Sequence, residues 1–149
     1  MSTSLYDHKF ILKSNDLRSR IHLNLVEIEI NRSPSLSFQV VVNDQSFSGE
    51  ITTWIEQETL LQFLSQLKAI MINRTGTSSL RSMSPDELLI TIESEKLSQF
   101  VVNYAITQSK FSSNRLVESS LHGSFVLDSE YLISLEDDVS TMIELIFNR

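Results

Sequence analysis

The chain has 149 residues, 41% of them hydrophobic and 21% charged, with a formal net charge of −7, which is the make-up of one globular domain with a real core, residues 1–149, rather than of a disordered or fibrous chain. Cysteine is absent, which excludes disulfides, thiolate metal sites and a cysteine nucleophile and fits a cytoplasmic location. The negative charge argues against a nucleic-acid backbone as the main ligand, the start MSTSLYDHKF lacks the order of a secretory signal, and no run approaches the ~20 apolar residues of a membrane span, so neither nucleic acid nor membrane is expected as a partner.

Taken in chain order, a strand is expected at Lys9 to Lys13, followed by a longer one from Ile21 to Ile30. In the latter, Leu23 and Leu25 alternate and then Val26, Ile28 and Ile30 resume one residue out of phase. That slip signals either a bulge near Val26 or a strand buried on both faces for part of its length. Leu36, Phe38, Val40 and Val42 place one apolar face on a strand from Leu36 to Val42. Asn43-Asp44-Gln45 supplies a turn, and Phe47, Gly49 and Ile51 alternate on the returning strand.

The period then changes. Leu60, Phe63, Leu64, Leu67, Ile70 and Met71 keep helical spacing, Thr53 with Glu56 fits a capping box, and Asn73-Arg74-Thr75-Gly76 supplies the stop. The stretch from Asn73 to Pro85 reads as a connection with room for a short strand around Leu80 to Met83. The second half follows the same plan, with strands over Leu88–Glu93 and Gln99–Thr107 and a long strand from Arg115 through Leu127. Asp128 then caps a final helix carrying Leu132, Leu135, Val139, Met142, Ile143 and Ile146 at helical spacing. The halves share an order but show no residue-level repeat. The fold class is therefore α+β: three or four strands, a helix, three or four strands and a helix. The economical arrangement is one twisted antiparallel sheet of about 6–8 strands with both helices packed on its apolar face.

Residues that carry chemistry are sparse. His8, His22 and His122 fall in no metal-ligand spacing, Gly49, Gly76 and Gly123 build no phosphate-cradling loop, and the serines lack a nucleophile signature. Asp86 and Glu87 read as part of a turn. No catalytic residue, metal or cofactor is expected. Trp54, Phe100 and Tyr104 read as core residues, Trp54 by packing the start of the first helix against the sheet. Gly49 and Gly123, inside strand patterns, mark a bulge or a close approach by a helix or an aromatic ring.

Charge is unevenly distributed. From Asp128 onward the acids Asp128, Glu130, Glu136, Asp137, Asp138 and Glu144 face only Arg149, whereas Lys9, Lys13, Arg18, Arg20 and Arg32 make the beginning basic. On a helical wheel Glu130, Asp137, Asp138 and Glu144 lie away from the apolar stripe. They form either a solvated face or an acidic docking surface for a basic protein.

The hairpin FSGEI leading into TTWIEQETLLQFLSQL, the strands LLITIES and QFVVNYAITQS, and GSFVLDSEYLISL opening the last helix resemble the WapI-type immunity-like family of small bacterial proteins. The resemblance spans most of the chain. It implies an α+β fold without catalytic residues and a non-catalytic role in binding and neutralising a cognate toxin. Two other functions fit the sequence: a structural or adaptor module that self-associates through a sheet edge or face, with Val41, Leu89 and Val101 on outer positions, and a small-ligand protein whose site is assembled from Trp54, His22 and His122.

Overall fold

The computed structural model describes residues 8–96 and 99–147. Strands β1 (Lys9–Lys13), β2 (Ser19–Glu29), β3 (Ser35–Asp44) and β4 (Phe47–Glu56) precede helix α1 (Gln57–Asn73). Strands β5 (Thr77–Arg81), β6 (Leu88–Lys96), β7 (Gln99–Ser112) and β8 (Arg115–Asp128) precede α2 (Ser129–Phe147). The α+β class, the eight antiparallel strands and the two helices agree with the sequence pattern. The strands form two four-stranded meanders, β1-β2-β3-β4 and β5-β6-β7-β8, instead of one sheet. The division falls at α1, because β5 pairs with β6 rather than returning to β4.

The two ββββα units match position by position. Across the first sheet Leu12, Ile21, Val42 and Gly49 stand side by side, and across the second Leu80, Ile90, Tyr104 and Gly123 do. The neighbouring rows are Phe10, Leu23, Val40, Ile51 and Ser78, Ile92, Val102, Phe125. Beyond them the register slips at Val26 in β2 and at Glu95 in β6, so each second strand bulges at the same place. The phase slip at Val26 is therefore a bulge. Leu17 and Asp86, each two residues before its unit's second strand, both take left-handed backbone angles, with φ of 63° and 69°. Ser14 Oγ accepts a hydrogen bond from Ser19 N, and Ser82 Oγ accepts one from Leu88 N, each at 3.0 Å. What repeats is backbone geometry and apolar pattern, which is why residue identity hides it.

Reciprocal contacts join the units. Asn15 N, just after β1, donates to Val126 O in β8 at 3.0 Å, and Met83 N, just after β5, donates to Trp54 O in β4 at 2.7 Å. Both acceptors lie three residues before the start of the helix that follows. Helix α1 packs beside β5, where Ser78 Oγ donates to Phe63 O, and α2 packs beside β1. The helices also touch each other, with Lys68 Nζ 3.8 Å from Glu136 Oε1. Inward-facing residues of both sheets and the apolar stripes of both helices merge into one core.

Several local expectations are corrected. Thr53 does not cap α1; it is buried in β4, which runs on to Glu56, and its hydroxyl donates to Glu87 Oε1 at 2.6 Å. Alternation of Ile51, Thr53 and Ile55 into the core extends the strand through the supposed capping box, leaving Glu56 as an N-cap without a side-chain bond. Within the expected stop Asn73-Arg74-Thr75-Gly76, Arg74 holds the left-handed C-cap, its N–H bonded to Ile70 O. Asp128 does occupy the residue before α2, and its Oδ1 is buried without a hydrogen-bond partner. Trp54 is half-buried opposite Ser37 on the outer face of the first sheet and outside the core, since its neighbours Thr53 and Ile55 take the inward positions. Phe100 and Tyr104 are in the core as expected.

Candidate functional site

The last strand of the second unit leads directly into α2, and this helix presents the acidic residues. A helix repeats its faces every seven residues, so Glu130, Asp137 and Glu144 form one stripe, with Ser134 and Thr141 filling the turns between them. All five are exposed, whereas Leu132, Leu135, Val139, Met142, Ile143 and Ile146 are buried on the opposite side. The helix has no basic residue from Ser129 to Phe147. Arg149, expected to oppose these acids, lies outside the described residues.

Asp138 is also exposed, but its surroundings differ. Packing of α2 against β1 brings Asp137 and Asp138 into a shallow hollow with His8 and Lys9. Partial burial and then the charge of Asp137 raise the pKa of Asp138, while Lys13 pulls it the other way. The basic beginning of the chain and its acidic end thus meet along this seam. Of the four acids, Glu130, Asp137 and Glu144 make the open stripe, and Asp138 is partly spoken for by β1.

On the outer face of the first sheet Lys13 pairs with Arg20 and Ile11 with His22, while Arg18 and Arg32 lie in the connections on either side of β2. Burial, followed by the charges of Lys9, Arg20 and Lys13, holds the His22 pKa below its ordinary value, so the ring is neutral at pH 7. His122 is exposed on the second sheet. The first sheet therefore carries His22 and Trp54 and the second carries His122; these three do not come together around one hollow. Among the described residues no group of three or more His, Asp or Glu side chains is placed to hold a metal ion, and no helix is long and apolar enough to cross a membrane.

A polar joint between the units was not foreseen. Tyr104 Oη, in β7, donates to Asp44 Oδ2 at 2.5 Å, and Ser19 Oγ donates to Asp44 Oδ1 at 2.7 Å. Gly123 leaves room for this: a Cβ there would lie 2.7 Å from both Asp44 Oδ2 and Tyr104 Oη. Burial, then the hydrogen bond to and the charge of Asp44, push the Tyr104 pKa well above its usual value. The phenol therefore keeps its proton and acts as a donor, and both carboxylate oxygens of Asp44 are engaged. This chemistry fixes one unit against the other and leaves no activated nucleophile. In sequence the only hint was Gly123 inside a strand pattern, and the aromatic that approaches it is Tyr104.

The second feature missed in sequence is an arm. Strands β7 and β8 continue past the sheet as a two-stranded ribbon, closed by Ser113 and Asn114, both at positive φ as a two-residue hairpin turn requires. Every residue from Gln108 to Ser120 is exposed. Phe111, 79% exposed, stands directly opposite Leu116, 53% exposed. Their alternation resembles that of a core strand, but no layer covers them.

Compared with family models, curated proteins and solved structures, the chain gives no significant match.

Proposed function

We propose that this is a protein-binding domain that acts in the cytoplasm by covering its partner rather than by catalysing a reaction, with the outer stripe of α2 as the contact surface. The observation that carries this reading is the run of exposed Glu130, Asp137 and Glu144 along one line of a helix that has no cation of its own. Such a surface attracts a basic partner over several ångströms and discriminates against acidic ones. In its specific form, which the resemblance to WapI-type immunity-like proteins implies, the partner is a basic bacterial toxin domain whose active site is covered.

Calorimetric titration against a cognate basic toxin domain tests the reading. Binding should weaken from low to high salt, because exposed charges are screened. The triple reversal Glu130→Lys, Asp137→Lys, Glu144→Lys should abolish it, whereas Asp138→Asn should matter less, since Asp138 lies off that stripe and is partly buried. No binding, or binding indifferent both to salt and to the triple reversal, would sink the proposal.

A further inference from the structure

Two sheets offer four outer edges, and their treatment differs. Strand β1 lies beside α2 and β5 beside α1. Strands β4 and β8 each give one carbonyl to the other unit, Trp54 O to Met83 N and Val126 O to Asn15 N, but β4 begins at Phe47 whereas β8 runs on into the arm. Which main-chain groups β8 leaves open can be read from one bond. Val126 O accepts from Asn15 N, so Val126 points its N–H and C=O away from β7. Alternation in an antiparallel ladder puts the groups of Ser124, His122, Ser120, Glu118 and Leu116 on that same side. No bulge interrupts the pairing with β7 from Asp128 to Arg115. Among the described residues nothing bonds these five from the open side. The edge holds no proline and no lysine, the usual protections.

We infer that β8 pairs with β8 of a second copy of this chain, antiparallel about a twofold axis through Ser120. The register follows from the open groups. Centred on Ser120, every open residue meets another: Ser120 meets Ser120, Glu118 meets His122 and Leu116 meets Ser124 of the second copy, with the last two pairs repeated by symmetry. Moving the axis by one residue in either direction drops one pair and separates Glu118 from His122. Moving it by two stacks Glu118 on Glu118, or His122 on His122. The favoured register thus places a carboxylate acceptor opposite an imidazole N–H donor twice, a polar cross-strand pair that other registers lose. The product is one continuous sheet with four strands from each copy. It also gives the arm what it lacks alone, because an isolated two-stranded ribbon is marginal in water. This interface does not depend on the acidic stripe of α2.

Sedimentation equilibrium of the full chain from micromolar to millimolar concentration tests the inference. A reversible dimer is expected. Ser120→Pro removes an N–H that faces outward and leaves the ladder to β7 intact, so it should abolish the dimer while far-UV circular dichroism stays unchanged. His122→Glu places like charges opposite each other twice and should weaken the dimer roughly tenfold. Adding Glu118→Lys to it places opposite charges across from each other and should recover most of that loss. A chain that stays monomeric throughout, or a dimer that Ser120→Pro leaves intact, overturns the proposal, and a double variant as weak as His122→Glu alone overturns the register.

Discussion

The first and second ββββα units differ most in the hairpin that joins their third and fourth strands. In the first, β3 and β4 part at Asp44 and Phe47, joined by Gln45 and Ser46. The matching pair in the second is Ile106 and Leu121, and there the strands continue through six further pairs, Thr107 with Ser120 to Ser112 with Arg115. At roughly 3.3 Å per residue the extension adds about 20 Å of ribbon. Since the shorter hairpin suffices to close an equivalent core, the packing of the second unit does not require the longer one. Extra strand that buries nothing costs backbone entropy, so its use must lie at the surface.

The largest effects are expected where the two units are alike. Phe38 and Phe100 hold matching positions, both fully buried, Phe38 with its ring edge-on to Phe10 at 5.6 Å between centroids. Phe38→Ala and Phe100→Ala should each cost about 3–5 kcal/mol, the usual range for deleting a buried ring. Because both units contribute to one core, urea unfolding of either variant should remain a single transition with an unchanged slope. Two separate transitions would mean that the units fold independently and that the reciprocal bonds between them count for little.

A smaller effect separates the two glycines that end matching rows. At Gly123 a methyl group would press on Asp44 Oδ2 and Tyr104 Oη at 2.7 Å, disrupting the bond between them. At Gly49 the nearest atoms are the ends of Ile106 and Leu121, at 3.1 and 3.2 Å, and these can turn aside. Gly123→Ala should therefore cost about 2 kcal/mol, within the range for overpacking, and Gly49→Ala about half that. Equal losses in thermal denaturation would show that the joint is looser than its distances indicate.

These contrasts also show what the sequence could and could not disclose. Helical spacing identified both helices because a stripe of apolar residues on each, from Leu60 to Ile70 in α1 and from Leu132 to Ile146 in α2, turns to the core, although Leu61, Ile72, Ile133 and Leu145 stay exposed. The bulge at Val26 was legible because apolar residues flank it, while its counterpart at Glu95 lies between polar neighbours that show no phase. Thr53 misled because a hydroxyl three residues before a glutamate suits a capping box as well as it suits a strand position. The division into two sheets depends on which strand β5 meets, a long-range pairing that no local pattern encodes. The acidic stripe could be read from heptad spacing alone. The arm could not, since Phe111, Leu116 and Val117 have the hydrophobicity of core residues and only the missing layer above them reveals their exposure.

The joint itself can be tested through pH. Tyr104→Phe removes the donor to Asp44 and should cost about 1.5 kcal/mol at neutral pH. Burial and Asp44 raise the tyrosine pKa in the folded chain above its value of about 10 in the unfolded chain, so the folded state holds the proton more tightly. The stabilisation is thus fully present below pH ~10 and is lost as pH rises toward the folded-state pKa. The difference in stability between the natural chain and Tyr104→Phe should shrink across that alkaline range. A difference independent of pH would indicate that packing of the ring, rather than its proton, links the units.

The smallest change in stability is expected where the units differ most in length. Excising Thr107 to Ser120 and joining Ile106 to Leu121 through Asn-Gly would rebuild the second hairpin on the plan of the first. Since Gln108 to Ser120 are all exposed, thermal unfolding should shift by no more than the equivalent of about 0.5 kcal/mol. Self-association should nevertheless be lost, because Leu116, Glu118 and Ser120 go with the arm. A large destabilisation would mean that the ribbon supports the core from which it projects. An unchanged fold with lost association would place the purpose of the added strands in contact with another molecule, since the core would have been shown to close without them.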